Sequence, residues 1–240
     1  MNVCVVFLCN KWYYPRFLQT YADLRERSKY TGPVCLVIGD DMMEVSVPAD
    51  IIVKHFPDWV FPGWFHAQAM MLPRAEFLYR KFFQFHKFYL FDAFFKQWNY
   101  IFYIDAGMTI YQPIEKMLAL GQPHTLLAHS DAYPTYEWKL STQFCYPEIV
   151  EYPLNNDYFQ TGIMIYDTEI CSDAMPSQLY DLTLRYPSVR TNDQGIIALY
   201  FTQIAPVWKQ ITLGDADTNY YDYFQRERGR PYVMVKDPLM

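Results

Sequence analysis

The chain has 240 residues, of which 52% are hydrophobic and 19% are charged. This composition can bury a sizeable core and excludes an intrinsically disordered protein. The formal net charge is −6, which argues against a nucleic-acid-binding protein, because such proteins normally carry a basic footprint. Aromatic residues make up 19% of the chain, a share that favours a packed enzyme or a carbohydrate-handling surface.

The cysteines and the apolar runs bear on the cellular compartment. The chain has five cysteines with no paired spacing, a pattern typical of reduced thiols in an intracellular protein. Cys4 and Cys35 lie inside apolar runs and are predicted to be small core residues. No run reaches the roughly 18 apolar residues of a membrane span, and residues 3–9 lack the basic leader of a signal peptide. We therefore expect a cytoplasmic protein without a membrane span.

The beginning of the chain predicts a strand, a helix and a second strand. Residues 3–8 are all apolar, which is typical of a central strand. Phe17, Tyr21 and Leu24 then recur at helical spacing, and residues 34–38 form a second apolar run. Such strand–helix–strand units are parallel and right-handed in nearly all cases. Residues 50–54 are predicted to form a third short strand.

Residues 73–96 show a helical pattern with a break near residues 84–86. The segment carries a basic cluster in an acidic protein, formed by Arg74, Arg80, Lys81, Lys87 and Lys96. Two interpretations stay open: a solvated helix face, or basic side chains placed near a phosphate group. The apolar stripe of Phe77, Phe82, Phe85 and Phe88 is predicted to lie in the core.

The rest of the chain alternates between strand and helix patterns. Strands are predicted at residues 100–104, 108–111, 125–129, 159–166 (interrupted at 161–162), 207–213 and 232–235, and helices at 114–120, 176–186 and 196–201. Residues 130–157 form a long loop, which in a compact domain is usually functional. Because no internal repeat or linker is visible, we expect a single domain over residues 1–240. The predicted fold class is α/β, with a mostly parallel central sheet flanked by helices.

One strand end carries the strongest chemical signal. The apolar run of residues 100–104 ends at Asp105, which is followed by Ala106 and Gly107. Open α/β sheets bind ligands at the carboxyl ends of their strands, and small residues let a bulky ligand approach the backbone. Further polar corners occur at Asn10, at Gln160-Thr161-Gly162 and at Asp193-Gln194. The strand, the acidic corner at Asp105 and the second strand after it predict a site for a divalent metal and a phosphate, and the order of all the polar corners along the chain is a stronger signal than any one of them.

Three segments together carry a family resemblance. Residues 8–13 read Leu-Cys-Asn-Lys-Trp-Tyr, and residues 87–107 run from Lys87 through a buried strand to Asp-Ala-Gly. The third segment combines residues 158–166, which read Tyr-Phe-Gln-Thr-Gly-Ile-Met-Ile-Tyr, with residues 192–195, which read Asn-Asp-Gln-Gly. These segments resemble the Thr-Asn-x-x-Tyr, Asp-x-Asp, Phe-Asn-Ser-Gly-Val and Asp-Gln-Gly motifs of nucleotide-sugar glycosyltransferases with the GT-A fold. The glycogenin and galactinol-synthase-like group (family 8) is the most similar, and the resemblance covers about residues 2–205.

The resemblance implies a fold, an activity and a set of site residues. It implies a single-domain GT-A (Rossmann-like) fold that transfers a sugar from a UDP- or GDP-sugar to a hydroxyl of a glycan, protein or small-molecule acceptor. The implied donor-binding residues are Asn10, Tyr13, Lys87, Asp105, Ala106, Gly107, Gln160, Thr161 and Gly162. Asp193 and Gln194 are expected to be the catalytic pair that faces the sugar. Trp59, Trp64, Trp138 and the 130–157 loop either form an acceptor wall or pack as ordinary loop residues.

Two departures from the family pattern concern the metal. The family's Asp-x-Asp motif binds Mn²⁺ or Mg²⁺, which bridges the donor diphosphate, but Gly107 stands in place of the second Asp. The family's metal-binding His near the C-terminus is also missing, since the last His is His129. Asp105 with phosphate oxygens and water can still hold a metal weakly, and we expect such a weak Mn²⁺ or Mg²⁺ site. The alternative is that a cation among Lys87, Arg226, Arg228, Arg230 and Lys236 replaces the metal.

Other interpretations of the sequence stay open. A second Asp-x-Asp at residues 215–217 follows Gly214 and is predicted to be a turn with exposed carboxylates. The chain can also be a degenerate relative that binds a nucleotide sugar or glycan without turnover. A nucleotide-binding protein of another reaction class is disfavoured, because no G-x-G-x-x-G follows the first strand.

Overall fold

The computed structural model describes residues 2–70, 82–132, 137–145, 151–187, 189–222 and 230–236. Ten strands lie in this part of the chain: β1 (Val3–Cys9), β2 (Val34–Ile38), β3 (Ile51–His55), β4 (Tyr100–Ile104), β5 (Met108–Ile110), β6 (Leu126–Ser130), β7 (Phe159–Asp167), β8 (Trp208–Gln210), β9 (Asn219–Asp222) and β10 (Tyr232–Lys236). The α-helices are α1 (Tyr14–Glu26), α2 (Gly63–Met70), α3 (Glu115–Leu118), α4 (Met175–Arg185) and α5 (Asp193–Leu199). The 3₁₀ segments are Asp40–Met42, Phe82–Phe91, Ala93–Gln97, Leu140–Gln143 and Thr168–Ile170, and a π-helical turn, Tyr200–Ile204, continues α5.

The central sheet has seven strands in the order β3-β2-β1-β4-β7-β6-β8. Strands β3, β2, β1 and β4 are parallel, whereas β7 runs antiparallel to both β4 and β6. A smaller sheet has the order β5-β10-β9, in which β10 is antiparallel to β5 and parallel to β9. The mostly parallel α/β architecture predicted from the sequence is therefore confirmed.

The central sheet is covered on both faces, which explains why β1 is apolar throughout. Side chains of a strand alternate between the two faces of a sheet. Val5 and Phe7 pack on one face with Phe17 of α1, while Cys4 and Val6 belong to the core on the other face. A strand buried on both sides has no position that favours a polar residue.

Two local predictions differ from the structure. Strand β7 is continuous through Thr161 and Gly162, because both residues stay in the ladder and are buried there. The helical pattern around residue 84 is a 3₁₀ segment that runs unbroken to Phe91, and Asp92 rather than residues 84–86 separates it from the next segment. The carboxylate of Asp92 accepts a hydrogen bond from the backbone N–H of Phe94 at 2.8 Å, which caps that next segment.

The described residues also bear on the membrane and cysteine predictions. No helix among them is both long enough and apolar enough to cross a bilayer. All five cysteines are free thiols, and Cys4 and Cys35 are fully buried, as predicted for small core residues.

Candidate active site

The candidate site lies where the strand order of the central sheet reverses. From β1 the chain adds β2 and β3 on one side, and β4 lies on the other side of β1. Crevices at the carboxyl ends of two such strands are the usual ligand sites of open α/β sheets. Asn10 directly follows β1 and Asp105 directly follows β4. These two predicted residues therefore lie at the same carboxyl edge of the sheet.

Strand β7 contributes to this edge from the opposite direction. Because β7 is antiparallel to β4, the residues before Ile163 extend past the end of β4. The backbone N–H of Asp105 donates to the carbonyl of Gly162 at 2.8 Å. A Cβ at Gly162 would lie 3.3 Å from Asp105 Oδ2, so this glycine permits the close approach of the carboxylate.

A buried ammonium group connects the predicted residues. Lys87 Nζ lies 3.1 Å from Asp105 Oδ1 and 3.4 Å from Asp193 Oδ2. It also donates to Thr161 Oγ1 at 3.2 Å, and the Thr161 hydroxyl in turn donates to Asp193 Oδ2 at 2.9 Å. Lys87, Thr161 and Asp193 are nearly inaccessible to solvent. Lys87 therefore does not lie on a solvated helix face, and its place near a phosphate group stays a prediction, whereas Arg74, Arg80 and Lys81 lie outside the described residues.

Tyr103 and Lys236 complete the surroundings of Asp105. The hydroxyl of Tyr103 donates to Asp105 Oδ1 at 2.6 Å, and Lys87 Nζ lies 5.5 Å from the centre of the Tyr103 ring. Lys236, the last residue of β10, places Nζ 3.5 Å from Asp105 Oδ2. The side chain of Asp105 is 24% exposed and that of Lys87 is 8% exposed, so the carboxylate is accessible to solvent and the ammonium is buried.

The charges of this cluster shift one another's pKa. Burial alone would lower the pKa of Lys87, but the carboxylates of Asp105 and Asp193 raise it well above its ordinary value. Burial alone would raise the pKa of Asp105, yet the charges of Lys87 and Lys236 lower it overall. Burial raises the pKa of Asp193, and the contacts with Lys87 and Thr161 offset this only in part. Near neutral pH the cluster therefore holds a charged Lys87 against an ionised Asp105.

A second polar group lies beside the cluster and is centred on Asp131. Its carboxylate accepts hydrogen bonds from Tyr158 Oη at 2.6 Å, from Gln160 Nε2 at 2.8 Å and from Gln194 Nε2 at 3.4 Å. The hydroxyl of Tyr221 donates to Gln160 Oε1 at 3.3 Å. The predicted residues Gln160 and Gln194 thus meet at a carboxylate that the sequence analysis did not single out.

The predicted residues Asn10 and Tyr13 have a local structural role. Asn10 is buried, and its side-chain oxygen accepts a hydrogen bond from the backbone N–H of Tyr13 at 3.1 Å. This contact stabilises the turn that leads from β1 into α1. The guanidinium of Arg16 lies 6.0 Å from the centre of the Tyr13 ring. Contact of Asn10 and Tyr13 with a nucleoside stays a prediction.

The Asp105-Ala106-Gly107 corner is held by the backbone conformation of its glycine. Gly107 has a φ of +91°, in a region that residues with a side chain rarely adopt. Its N–H donates to the hydroxyl of Thr20 at 3.0 Å, and Ala106 is buried. A side chain at position 107 would meet Arg16, whose Cδ lies 3.4 Å from an ideal Cβ. The glycine in place of the family's second Asp therefore matches the local backbone.

Replacing Gly107 with Ala is expected to lower the free energy of unfolding by about 1–2 kcal/mol, because the alanine would have to adopt a positive φ that strains a residue with a Cβ. Urea unfolding followed by circular dichroism measures the change. Gly63→Ala is the matched control, since a Cβ there meets nothing within 4 Å, and it should be neutral or slightly stabilising. Equal stability of wild type and Gly107→Ala would contradict the strained conformation of this corner.

The described side chains fit a divalent metal poorly. Among them, no group of three or more His, Cys, Asp or Glu residues converges as metal ligands do. Each oxygen of Asp105 already faces an ammonium group, Oδ1 that of Lys87 and Oδ2 that of Lys236. A hard cation needs several oxygen ligands, and two neighbouring ammonium groups repel it. The expected weak Mn²⁺ or Mg²⁺ at Asp105 stays a prediction.

Several other candidates lie apart from the cluster contacts. Trp59 stacks on Tyr89 and Tyr180, so it packs as a loop residue. Trp64 and Trp138 are 49% and 56% exposed, which leaves the predicted acceptor wall open as an interpretation. Lys96 Nζ lies 3.9 Å from the carboxylate of Glu169. In the predicted turn, the carboxylate of Asp215 accepts hydrogen bonds from the backbone N–H groups of Asp217 and Thr218. Of the proposed metal substitutes, Arg226 and Arg228 lie outside the described residues, and Arg230 donates to the carbonyl of Asp215.

Solved glycosyltransferase structures share this fold. An active site mutant of LgtC superposes with a TM-score of 0.63, and galactosyltransferase LgtC in complex with donor and acceptor sugar analogs superposes with 0.61. Each is 8% identical in sequence and the match covers 97% of this chain and 86% of the other. The glycosyltransferase GlyE from Streptococcus pneumoniae TIGR4 is 13% identical, with a TM-score of 0.50 over 87% of this chain and 44% of GlyE. No family model matches the sequence, and the comparison with curated proteins gives no match. At these identities the likeness shows the fold, which is the mixed α/β fold of GT-A-type glycosyltransferases.

Proposed function

We propose that this chain is a glycosyltransferase that moves a sugar from a nucleoside diphosphate sugar to a hydroxyl group of an acceptor. The observation that carries the proposal is the cluster of Lys87, Asp105, Thr161 and Asp193 at the switch point of the sheet. The fold shared with LgtC supports it, because in that protein donor and acceptor sugar analogs bind on the same architecture. The expected donors are UDP- and GDP-sugars, and the expected compartment is the cytoplasm.

The chemistry of the leaving group explains why cations belong at this edge. When the bond between the anomeric carbon and the diphosphate breaks, both electrons go to the phosphate oxygen, and negative charge develops there. Preorganised positive groups stabilise such charge more in the transition state than in the ground state. Lys236 is 18% exposed and its Nζ lies 3.5 Å from Asp105 Oδ2, so among the described cations it is our candidate to meet a diphosphate.

The polar group around Asp131 suits the sugar itself. A carboxylate accepts hydrogen bonds from sugar hydroxyls, while the amides of Gln160 and Gln194 can both donate and accept. One of the LgtC structures carries a glutamine-to-glutamate change in its active site, so a glutamine belongs to the active site of at least one protein with this fold. Gln194 is our candidate for the corresponding role, with Asp193 beside it.

A second candidate function is binding of a nucleotide sugar without turnover. It is favoured by one observation: the carboxylates of Asp105 and Asp193 already share the charge of Lys87 before any ligand arrives. A site neutralised in this way can hold a donor and still lack the reactivity that transfer requires.

A panel of UDP- and GDP-sugars separates these functions. Thermal shift reports which donor binds, because a ligand specific to the folded state raises its stability. Release of nucleoside diphosphate, measured with and without mono- and disaccharide acceptors, then reports turnover. Binding with release supports the transferase, and binding without release supports the second candidate. If no sugar nucleotide binds while NAD does, the proposed function is wrong.

A further inference from the structure

We propose that Lys236 takes the place of a divalent metal at Asp105, so that this chain binds the diphosphate of its donor without a metal ion. The inference rests on the proposed function, since it concerns how the same site holds a nucleoside diphosphate. It assigns Lys236, at the end of the central strand β10 of the small sheet, as the cation that contacts the phosphate oxygens.

The hydrogen-bonding capacity of the two lysines assigns them different tasks. An ammonium group has three donors. Lys87 Nζ forms ion pairs with Asp105 at 3.1 Å and with Asp193 at 3.4 Å, donates a hydrogen bond to Thr161 at 3.2 Å, and is buried. Lys236 has Asp105 as its one partner among the described residues, at 3.5 Å, and remains partly exposed. The ammonium of Lys87 is therefore fully used by contacts within the protein, whereas the ammonium of Lys236 has N–H donors left for a phosphate.

The register of the small sheet fixes the position of Lys236. Strand β10 pairs with β5 so that Lys236 lies opposite Met108, three residues after Asp105. The ladder thus brings the ammonium to the corner that would bind the metal in an Asp-x-Asp protein. Backbone pairing therefore fixes the backbone of Lys236 near this corner, and its side chain places Nζ 3.5 Å from Asp105 Oδ2.

The second ligand position of the motif is also occupied by positive charge. Gly107 offers no carboxylate, and Arg16 lies against it, with Nη1 3.9 Å from the point where a Cβ would stand. A divalent ion entering this corner would lie near the positive charges of both Arg16 and Lys236. Like charges at such distances repel each other, whereas a diphosphate would be attracted by both groups.

Calorimetric titration of the purified chain with UDP and with GDP tests the inference. Each titration is run in EDTA, in Mg²⁺ and in Mn²⁺, for wild type, Lys236→Met, Lys236→Arg and the control Lys209→Met. Lys209 is an exposed lysine on β8 whose described contact is with Gln122, so its substitution removes the same charge elsewhere. Circular dichroism of each variant verifies that it is folded.

We expect wild-type affinity in EDTA to lie within about twofold of the affinity in Mn²⁺. Lys236→Met should weaken binding by about 10- to 100-fold, the effect of a lost hydrogen bond to a charged group, while Lys236→Arg retains most of the affinity and Lys209→Met all of it. Wild-type binding that requires Mn²⁺ would overturn the metal-free site and leave the proposed function standing. Unchanged affinity of Lys236→Met would overturn the role of Lys236. If neither nucleotide binds to folded wild-type protein under any condition, the proposed function fails and this inference fails with it.

Discussion

Replacing Asp193 with Asn is expected to lower turnover at least about a hundredfold while the chain stays folded. The new amide oxygen can still accept the hydrogen bond that Thr161 donates at 2.9 Å, so the packing of the cluster is retained. The charge that faces Lys87 at 3.4 Å is lost, however, and Lys87 is then drawn towards Asp105 alone. The measurement is kcat for diphosphate release, with the donor and acceptor that the panel identifies.

A matched control for this variant is Asp167, the last residue of β7. Asp167 is also a buried carboxylate, and it accepts hydrogen bonds from the backbone N–H groups of His124 and Glu169. It pairs with Tyr100 at the start of β4, away from the edge that carries Asp105. Asp167→Asn should therefore keep kcat within a few-fold of wild type. If kcat of Asp193→Asn is as close to wild type as kcat of this control, Asp193 is not part of the active site.

Replacing Lys87 with Met is expected to lower the free energy of unfolding by about 3–5 kcal/mol, because it leaves the buried carboxylate of Asp193 without a counter-charge and Asp105 with Lys236 alone. For a chain of this size the loss corresponds to a fall in Tm of roughly 6–20 °C. Urea unfolding gives the free energy, and scanning calorimetry gives the Tm. The effect should be partly recovered in the double variant Lys87→Met/Asp193→Asn, which removes one of the uncompensated charges.

Lys96→Met supplies the control for Lys87. Lys96 belongs to the neighbouring 3₁₀ segment, is 43% exposed and lies 3.9 Å from Glu169. An exposed pair of this kind contributes little, so its loss should change stability by less than about 0.5 kcal/mol. If Lys87→Met were as stable as Lys96→Met, the ion cluster would contribute nothing to the fold.

Much of the sheet could be predicted, because a strand that is buried on both faces is apolar along its whole length. β1 and β4 are buried on both faces, so their residues are apolar without interruption and the strands stand out. The 3₁₀ geometry of residues 82–91 could not be predicted in this way. Seven of the ten residues of that segment are aromatic or aliphatic, so a repeat of three and a repeat of 3.6 both fit the pattern.

The small sheet was only partly predictable. The strand patterns at residues 108–111 and 232–235 were visible, but β9 was missed, because its Asn-Tyr-Tyr-Asp sequence has no apolar alternation. Pairing of β5 with β10 joins residues that are far apart in the chain, and local patterns carry no information on such partners. Lys236 was thus one of five candidate cations in the sequence, and only the pairing of β10 places it beside Asp105.

Two residues of the site were missed although the sequence carried a signal for each. Asp131 directly follows β6, so the argument that singled out Asp105 after β4 applies to it as well. Tyr103 lies two residues before Asp105, and side chains at this spacing point to the same face of a strand, which explains their hydrogen bond. Lys87, by contrast, was a candidate whose partners could not be chosen, because its segment reaches the sheet edge only through tertiary packing.

The central claim is that the corner after β4 holds the diphosphate of a sugar nucleotide. The most direct test is a crystal structure of the chain grown with the nucleoside diphosphate that the panel selects. We expect the phosphate oxygens to lie within about 3–4 Å of Lys236 Nζ and next to Asp105, with the buried Lys87 on the protein side of that carboxylate. If the nucleotide binds at another surface and contacts neither Lys236 nor Asp105, the corner after β4 is not the donor site.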